Sequence, residues 1–180
     1  MYKVTLSMPI YNVAPYVERA LLSALNQTFE SIEFLLVDDR GTDNSMDIVR
    51  RIIKDHPRGK DVRIIEHPHN IGLGATRNTA IDNAQGEYLF FMDSDDEITP
   101  DCIQVLYDKM MEEKVDFVVG SIIEVSVSGE QIRRIFNDIT SVGRMCLAEY
   151  VYMEKHTFPV MTWNKLYDFC LLYTSDAADE

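Results

Sequence analysis

The chain has 180 residues, of which 46% are hydrophobic and 26% charged, and its net charge is −13. This length and composition suit one globular domain with a packed core and count against long disorder. The acidic balance argues against a nucleic-acid backbone or an anionic membrane surface as the main partner, since either needs clustered Lys and Arg. No apolar run approaches the roughly eighteen residues of a membrane span. The start, Met1-Tyr2-Lys3-Val4-Thr5-Leu6, lacks a charged stretch followed by a long apolar one and is not expected to act as a secretory signal. Cys102, Cys146 and Cys170 are odd in number and far apart, so a disulfide framework or zinc knuckle is not expected. The expectation is a soluble, cytoplasmic domain.

Strand and helix patterns alternate over the first 120 residues. Val4 to Met8 reads as a strand closed by Pro9. Pro15 suits a first helical turn, and Val17, Ala20, Leu21, Ala24 and Leu25 follow at helical spacing. Ile32 to Val37 is a nearly continuous apolar run, as in a strand covered on both faces. The next helix carries Ile48, Val49, Ile52 and Ile53, with Ser45 or Asp43 as cap. Val62 to Ile65 makes a third strand. A Gly-containing loop leads to a helix from about Ala75 to Ala84, stopped by Gly86. Tyr88 to Met92 is the fourth strand. Thr99-Pro100-Asp101 reads as the opening of a helix whose apolar face is Ile103, Leu106 and Met110.

This alternation predicts an α/β fold with right-handed crossovers, a mostly parallel sheet and helices on both faces. The pattern changes after Lys114. Asp116 to Val127 and Gln131 to Phe136 read as a hairpin turning near Ser128-Gly129, and a helical stretch follows around Met145 to Met153. Trp163 to Tyr167 alternates like a half-buried strand.

In such a sheet ligands bind outside the carboxyl ends of the strands. Those ends carry Pro9-Ile10-Tyr11-Asn12, Asp38-Asp39, the loop to Gly72-Leu73-Gly74, and Asp93-Ser94-Asp95-Asp96. Like charges at that density predict a bound positive partner. If residues 93–95 are extended, Asp93 and Asp95 point the same way and can face one hard divalent cation. Such a metal would let an acidic cleft hold an anionic diphosphate.

Rival motifs fare worse. Gly72-x-Gly74 half-matches a dinucleotide fingerprint, but Arg77 stands at the third glycine position and the preceding loop is too long. His67-Pro68-His69 reads as a surface loop rather than a metal site. No nucleophile elbow or phosphate loop occurs.

Taken in order, several short motifs resemble the family 2 glycosyltransferases, nucleotide-sugar-dependent enzymes of the GT-A fold. They are Ser7 to Asn12, Ser23 to Thr28, Val37-Asp38-Asp39, Asn70-x-Gly72, Ala75 to Asn78, Asp93 to Asp96 and Trp163 to Tyr167. The resemblance implies that Pro9, Tyr11, Asp39, Arg77 and Asp93 form the nucleotide-sugar site. Tyr11 would lie against the base, Asp39 would accept a hydrogen bond from it, Arg77 would support the pocket, and Asp93 would sit near the ribose. Asp95 would be the principal ligand of Mn²⁺ or Mg²⁺.

The implied reaction is inverting transfer of a sugar, from a donor expected to be UDP-linked, to a hydroxyl on a carbohydrate or lipid-linked acceptor in bacterial surface polysaccharide synthesis. A nucleotidyltransferase and a non-catalytic nucleotide-sugar-binding module are the alternatives. The former would normally place a Gly-rich, basic phosphate loop after strand one, where this chain has Pro9 to Asn12.

Two departures stand out. The family's Asp-Asp-Gly-Ser-x-Asp is here Asp38-Asp39-Arg40-Gly41-Thr42-Asp43, with Arg40 in place of a small residue. Residues 170–180 look like a translated sequencing adapter, so residues 1–169 are expected to be a C-terminally incomplete catalytic domain and 170–180 a non-native tail. The catalytic base is expected downstream of Tyr167 and is not assigned to any residue of this chain. Peripheral membrane association would run through the C-terminal segment expected beyond it.

Overall fold

The computed structural model describes residues 2–126, 128–134 and 162–170. The expected Met145–Met153 helix, the end of the second hairpin strand and the tail beyond Cys170 lie outside those residues. The first half of the chain builds β1 (Val4–Ile10), α1 (Val17–Leu25), β2 (Ile32–Asp38), α2 (Ser45–Asp55), β3 (Val62–Glu66), α3 (Leu73–Asn83), β4 (Tyr88–Phe91) and α4 (Cys102–Glu113). Four further strands follow: β5 (Phe117–Val119), β6 (Ile122–Val125), β7 (Gln131–Arg134) and β8 (Lys165–Asp168).

Six strands form one sheet in the order β3-β2-β1-β4-β8-β5, in which β3, β2, β1 and β4 run parallel. β8 lies antiparallel between β4 and β5. The expected α/β class, a mostly parallel sheet with helices on both faces, is what the chain adopts. Every residue of β2 is buried, as its unbroken apolar run requires. One face packs α1, α2 and α4 on Val4, Leu6, Met8, Phe34 and Leu36. The other packs Ala80 of α3 on Leu35, Val37, Leu89 and Phe91. The apolar positions of α1 read from spacing are its five buried residues.

Several boundaries differ from expectation. Pro9 does not close β1, which runs on to Ile10 opposite Asp38. The carbonyl of Ser7 accepts from the Met92 amide on the β4 side, and Pro9, two residues on, faces the same side. Because β4 stops at Phe91, the amide that proline lacks has no strand to bond there. α4 starts at Cys102, after Thr99-Pro100-Asp101. α3 begins at Leu73, two residues early, because Gly72 takes a φ of 90° and sets the entry of the chain. Asp116–Val127 is not one strand. It breaks around Gly120-Ser121, so that β5 joins the main sheet while β6 pairs with β7 as the expected hairpin. Pro57–Asp61 adds a 3₁₀ turn that spacing does not reveal.

The chain path places the site. From β1 the crossover leads to β2 and β3, and the next returns past β1 to β4. The order of strands reverses at β1 and β4, and the crevice outside their carboxyl ends is where such sheets hold ligands.

Candidate functional site

Successive residues of an extended chain point to opposite sides, and this separates Asp38, the last residue of β2, from Asp39, which follows it. Asp38 borders a cleft of about 190 Å³ with Ile10, Tyr11, Asn12, Arg40 and Arg50. Its Oδ1 accepts from the Arg40 amide at 2.9 Å. Asp39 turns instead toward the loop between β3 and α3 and is buried. Its Oδ1 accepts from the Ile71 amide at 2.9 Å and meets His67 Nδ1 at 2.7 Å; its Oδ2 accepts from the Gly72 amide at 2.9 Å. Burial pushes the Asp39 carboxyl up, but the bonds from His67 and the two amides prevail and hold it below the ordinary carboxylate range.

The like charges gathered at the strand ends are therefore not equivalent. The pair at the end of β2 is satisfied by the protein's own donors. The cluster after β4 is less so. Arg77 Nη2 of α3 donates to Asp93 Oδ1 at 2.8 Å, while the Arg77 Nε is buried and finds no hydrogen-bond partner among the described residues. Asp95 is exposed and makes no ion pair among them. Loss of water around the Asp96 carboxyl, then the charges of Asp95 and Asp93, raise its pKa above the usual range.

Residues 93–96 are also not extended. The Asp96 amide donates to the Asp93 carbonyl at 3.3 Å, closing a turn. The two-residue alternation invoked for Asp93 and Asp95 thus does not hold. Tyr11, 46% exposed, borders the cleft that Asp38 enters, whereas Asp39, Arg77, Asp93 and Asp95 do not line it. Pro9 lies at the end of β1, partly buried.

Residues 5–169 match the profile of glycosyl transferase family 2. The chain belongs to that family. It is 35% identical over 130 residues to an uncharacterized glycosyltransferase of Haemophilus influenzae, covering 72% of this chain and 51% of that protein. Two solved structures share the fold. S. aureus TarS 1–349 in complex with UDP has a TM-score of 0.67 at 25% identity, over 97% of this chain and 49% of that one. A mannosyltransferase from Pyrobaculum calidifontis in complex with GDP-Man and Mn2+ has a TM-score of 0.59 at 28% identity, over 66% of this chain and 36% of that one. The chain spans about half, or less, of the length of the first curated relatives it matches.

Within this glycosyltransferase family member, the departure at Arg40 has a clear structural form. Arg40 takes a φ of 56°, the left-handed region a glycine would enter without strain. Its side chain offsets that strain by donating from Nε to the His67 carbonyl at 2.5 Å and from Nη2 to Glu66 at 3.0 Å. The next residue must stay small: a Cβ on Gly41 would stand 2.8 Å from the Asn12 amide nitrogen.

The donor set after β4 suits a hard divalent cation, since it offers carboxylate oxygens with surplus negative charge. Among the described residues no group of three or more His, Cys, Asp or Glu side chains is close enough to hold a metal alone. Such an ion would take its remaining ligands from water and a diphosphate. Sequence reasoning missed His67. It read as a surface loop residue, yet it is buried between Asp39 and Thr79. Only the apolar strand just before it hinted that its ring would lie inside.

Proposed function

We propose that this chain is the donor-binding part of an inverting glycosyltransferase that moves a sugar from a UDP-linked donor to a hydroxyl on a carbohydrate or lipid-linked acceptor. The observation that carries this reading is the arrangement at the strand ends of a family 2 chain. There Asp39 is fixed as a carboxylate, Arg77 reaches Asp93 with its own Nε unsatisfied, and Asp95 stands open to solvent. Buried and unpaired guanidinium nitrogen is costly, and a nucleotide oxygen would satisfy it. The UDP and GDP-Man complexes of similar proteins favour the same reading.

Tyr11 then offers a face to the base, Asp39 accepts a base N–H, and Arg77 and Asp93 steady the ribose side, with Pro9 shaping the floor. Asp95 would hold Mn²⁺ or Mg²⁺, which when bound offsets the charge of the leaving diphosphate. No residue of the chain is assigned as the catalytic base. Surface polysaccharide synthesis is the role that family membership favours. No helix among the described residues is long and apolar enough to cross a membrane.

Titration calorimetry with UDP and Mn²⁺ tests the reading. Asp95→Asn removes a charged ligand at nearly constant volume and should abolish the metal-dependent part of UDP affinity without lowering the melting temperature. Tyr11→Ala and Asp39→Asn should each weaken UDP by about 1–3 kcal/mol while metal dependence persists. Unchanged metal-dependent affinity in Asp95→Asn would sink the metal assignment. Indifference of UDP binding to both other changes would place the nucleotide elsewhere.

A further inference from the structure

An ionised carboxylate has about four acceptor positions, two on each oxygen. Asp39 uses both positions of Oδ1, for His67 Nδ1 at 2.7 Å and the Ile71 amide at 2.9 Å, and one of Oδ2, for the Gly72 amide at 2.9 Å. A single position is left, on Oδ2. Two of the three donors are backbone, and the third is the His67 ring. That residue is itself held at ring and backbone: its Nε2 meets the Thr79 hydroxyl at 2.9 Å, and its backbone amide donates to the Asp38 carbonyl at 2.9 Å. Thr79 stands two residues after Arg77 on α3, and Arg77 holds Asp93. One imidazole therefore links the carboxylate at the end of β2 to the helix that reaches the end of β4.

We propose that His67 is a positioning residue for donor recognition. It fixes Asp39 in one orientation with one outward acceptor position, and it sets that carboxylate relative to α3. The inference rests on the nucleotide reading above and deepens it. A carboxylate free to rotate would accept a base N–H in many geometries, each at an entropic cost on binding. A carboxylate clamped by His67 presents one lone pair in one direction, and so contributes to affinity only through the base. On this reading the diphosphate and the metal would be held by the cluster after β4 and not by Asp39.

The test compares UDP with inorganic diphosphate, both with Mn²⁺, by titration calorimetry on the 180-residue chain. His67→Leu should weaken UDP about tenfold, the loss of one well-placed hydrogen bond, and leave inorganic diphosphate unchanged. His67→Asn should recover most of that loss, because its side-chain N–H can donate from near the place of Nδ1. Thr79→Val, which removes only the far anchor of the ring, should weaken UDP by a smaller factor and again spare inorganic diphosphate. A histidine serving stability alone would move both ligands together or neither. Equal losses for the two ligands in His67→Leu, or full UDP affinity, overturn the inference. If His67→Leu does not fold, Thr79→Val decides, and an unchanged ratio of the two affinities in it is the overturning result. A wild-type chain that binds UDP no better than inorganic diphosphate overturns the nucleotide reading itself, and this inference with it.

Discussion

Single residues in this chain do work that their neighbours in sequence do not announce. Arg40 occupies a left-handed backbone position and turns its bulk to use by bonding Glu66 and the His67 carbonyl. Lys165 is a second case. It sits in β8 with only 4% of its surface exposed, and its Nζ donates to Asn164 Oδ1 at 3.0 Å. Burial pushes its ammonium pKa down to about 8 from an ordinary 10.5. The sign of the consequence follows from proton counting. Between those values the unfolded chain still holds the proton that the folded chain has released, so stability rises with pH across that window. The melting temperature of the wild type should therefore gain on that of Lys165→Met between about pH 8 and about pH 10.5. A difference that stays flat over that range would mean the amine remains hydrated.

At the scale of elements, the ends of helices decide where the chain can turn. α4 stops at Lys114, which takes a φ of 52° while its amide donates to the Met110 carbonyl at 3.0 Å. That left-handed stop is where glycine is favoured, since a side chain there crowds the backbone. Lys114→Gly should therefore stabilise the fold by about 0.5–1 kcal/mol, partly offset by the freer unfolded chain. Urea denaturation gives the measurement, and a loss of stability would show that the lysine side chain matters more than its backbone. The junction of α3 and β4 obeys a steric rule instead. Thr5 Oγ1 accepts from the Gly86 amide at 2.9 Å, and a Cβ on Gly86 would lie 2.5 Å from the Thr5 nitrogen. This close approach holds the turn between α3 and β4 against β1.

For the whole molecule, β8 is the piece that closes the sheet. Residues 165–168 return from far along the chain to sit between β4 and β5, antiparallel to both. Leu166 of β8 is fully buried and faces Phe90 and Val118 across the two ladders. Leu166→Ala should cost about 2–5 kcal/mol, the usual range for a buried leucine whose cavity cannot collapse. Thermal and chemical unfolding should agree on that loss. A cost under about 1 kcal/mol would mean that β8 is held by its backbone ladder and not by packing. Closing the sheet on this side also covers Phe91 with Tyr167, whose rings meet at 6.4 Å. The strand that carries the Asp93–Asp96 turn is thereby fixed on both edges.

The sequence by itself determined the class of fold, the four parallel strands with their crossovers, the apolar faces of α1 and α4, and the strand ends at which acids gather. Those features are local: burial on one or both faces writes a period into the residues that form each element. It also carried the family motifs, because their order along the chain is a property of the chain alone. Only the tertiary structure decided that Asp38 borders the cleft beside Tyr11 while Asp39 is buried against the loop before α3, that residues 93–96 form a turn, that β5 leaves the hairpin for the main sheet, and that His67 lies inside. Each of those outcomes depends on which side of a strand end is covered by a segment distant in sequence. His67 is buried because α3 crosses over it, and nothing in residues 67–69 encodes where α3 will lie.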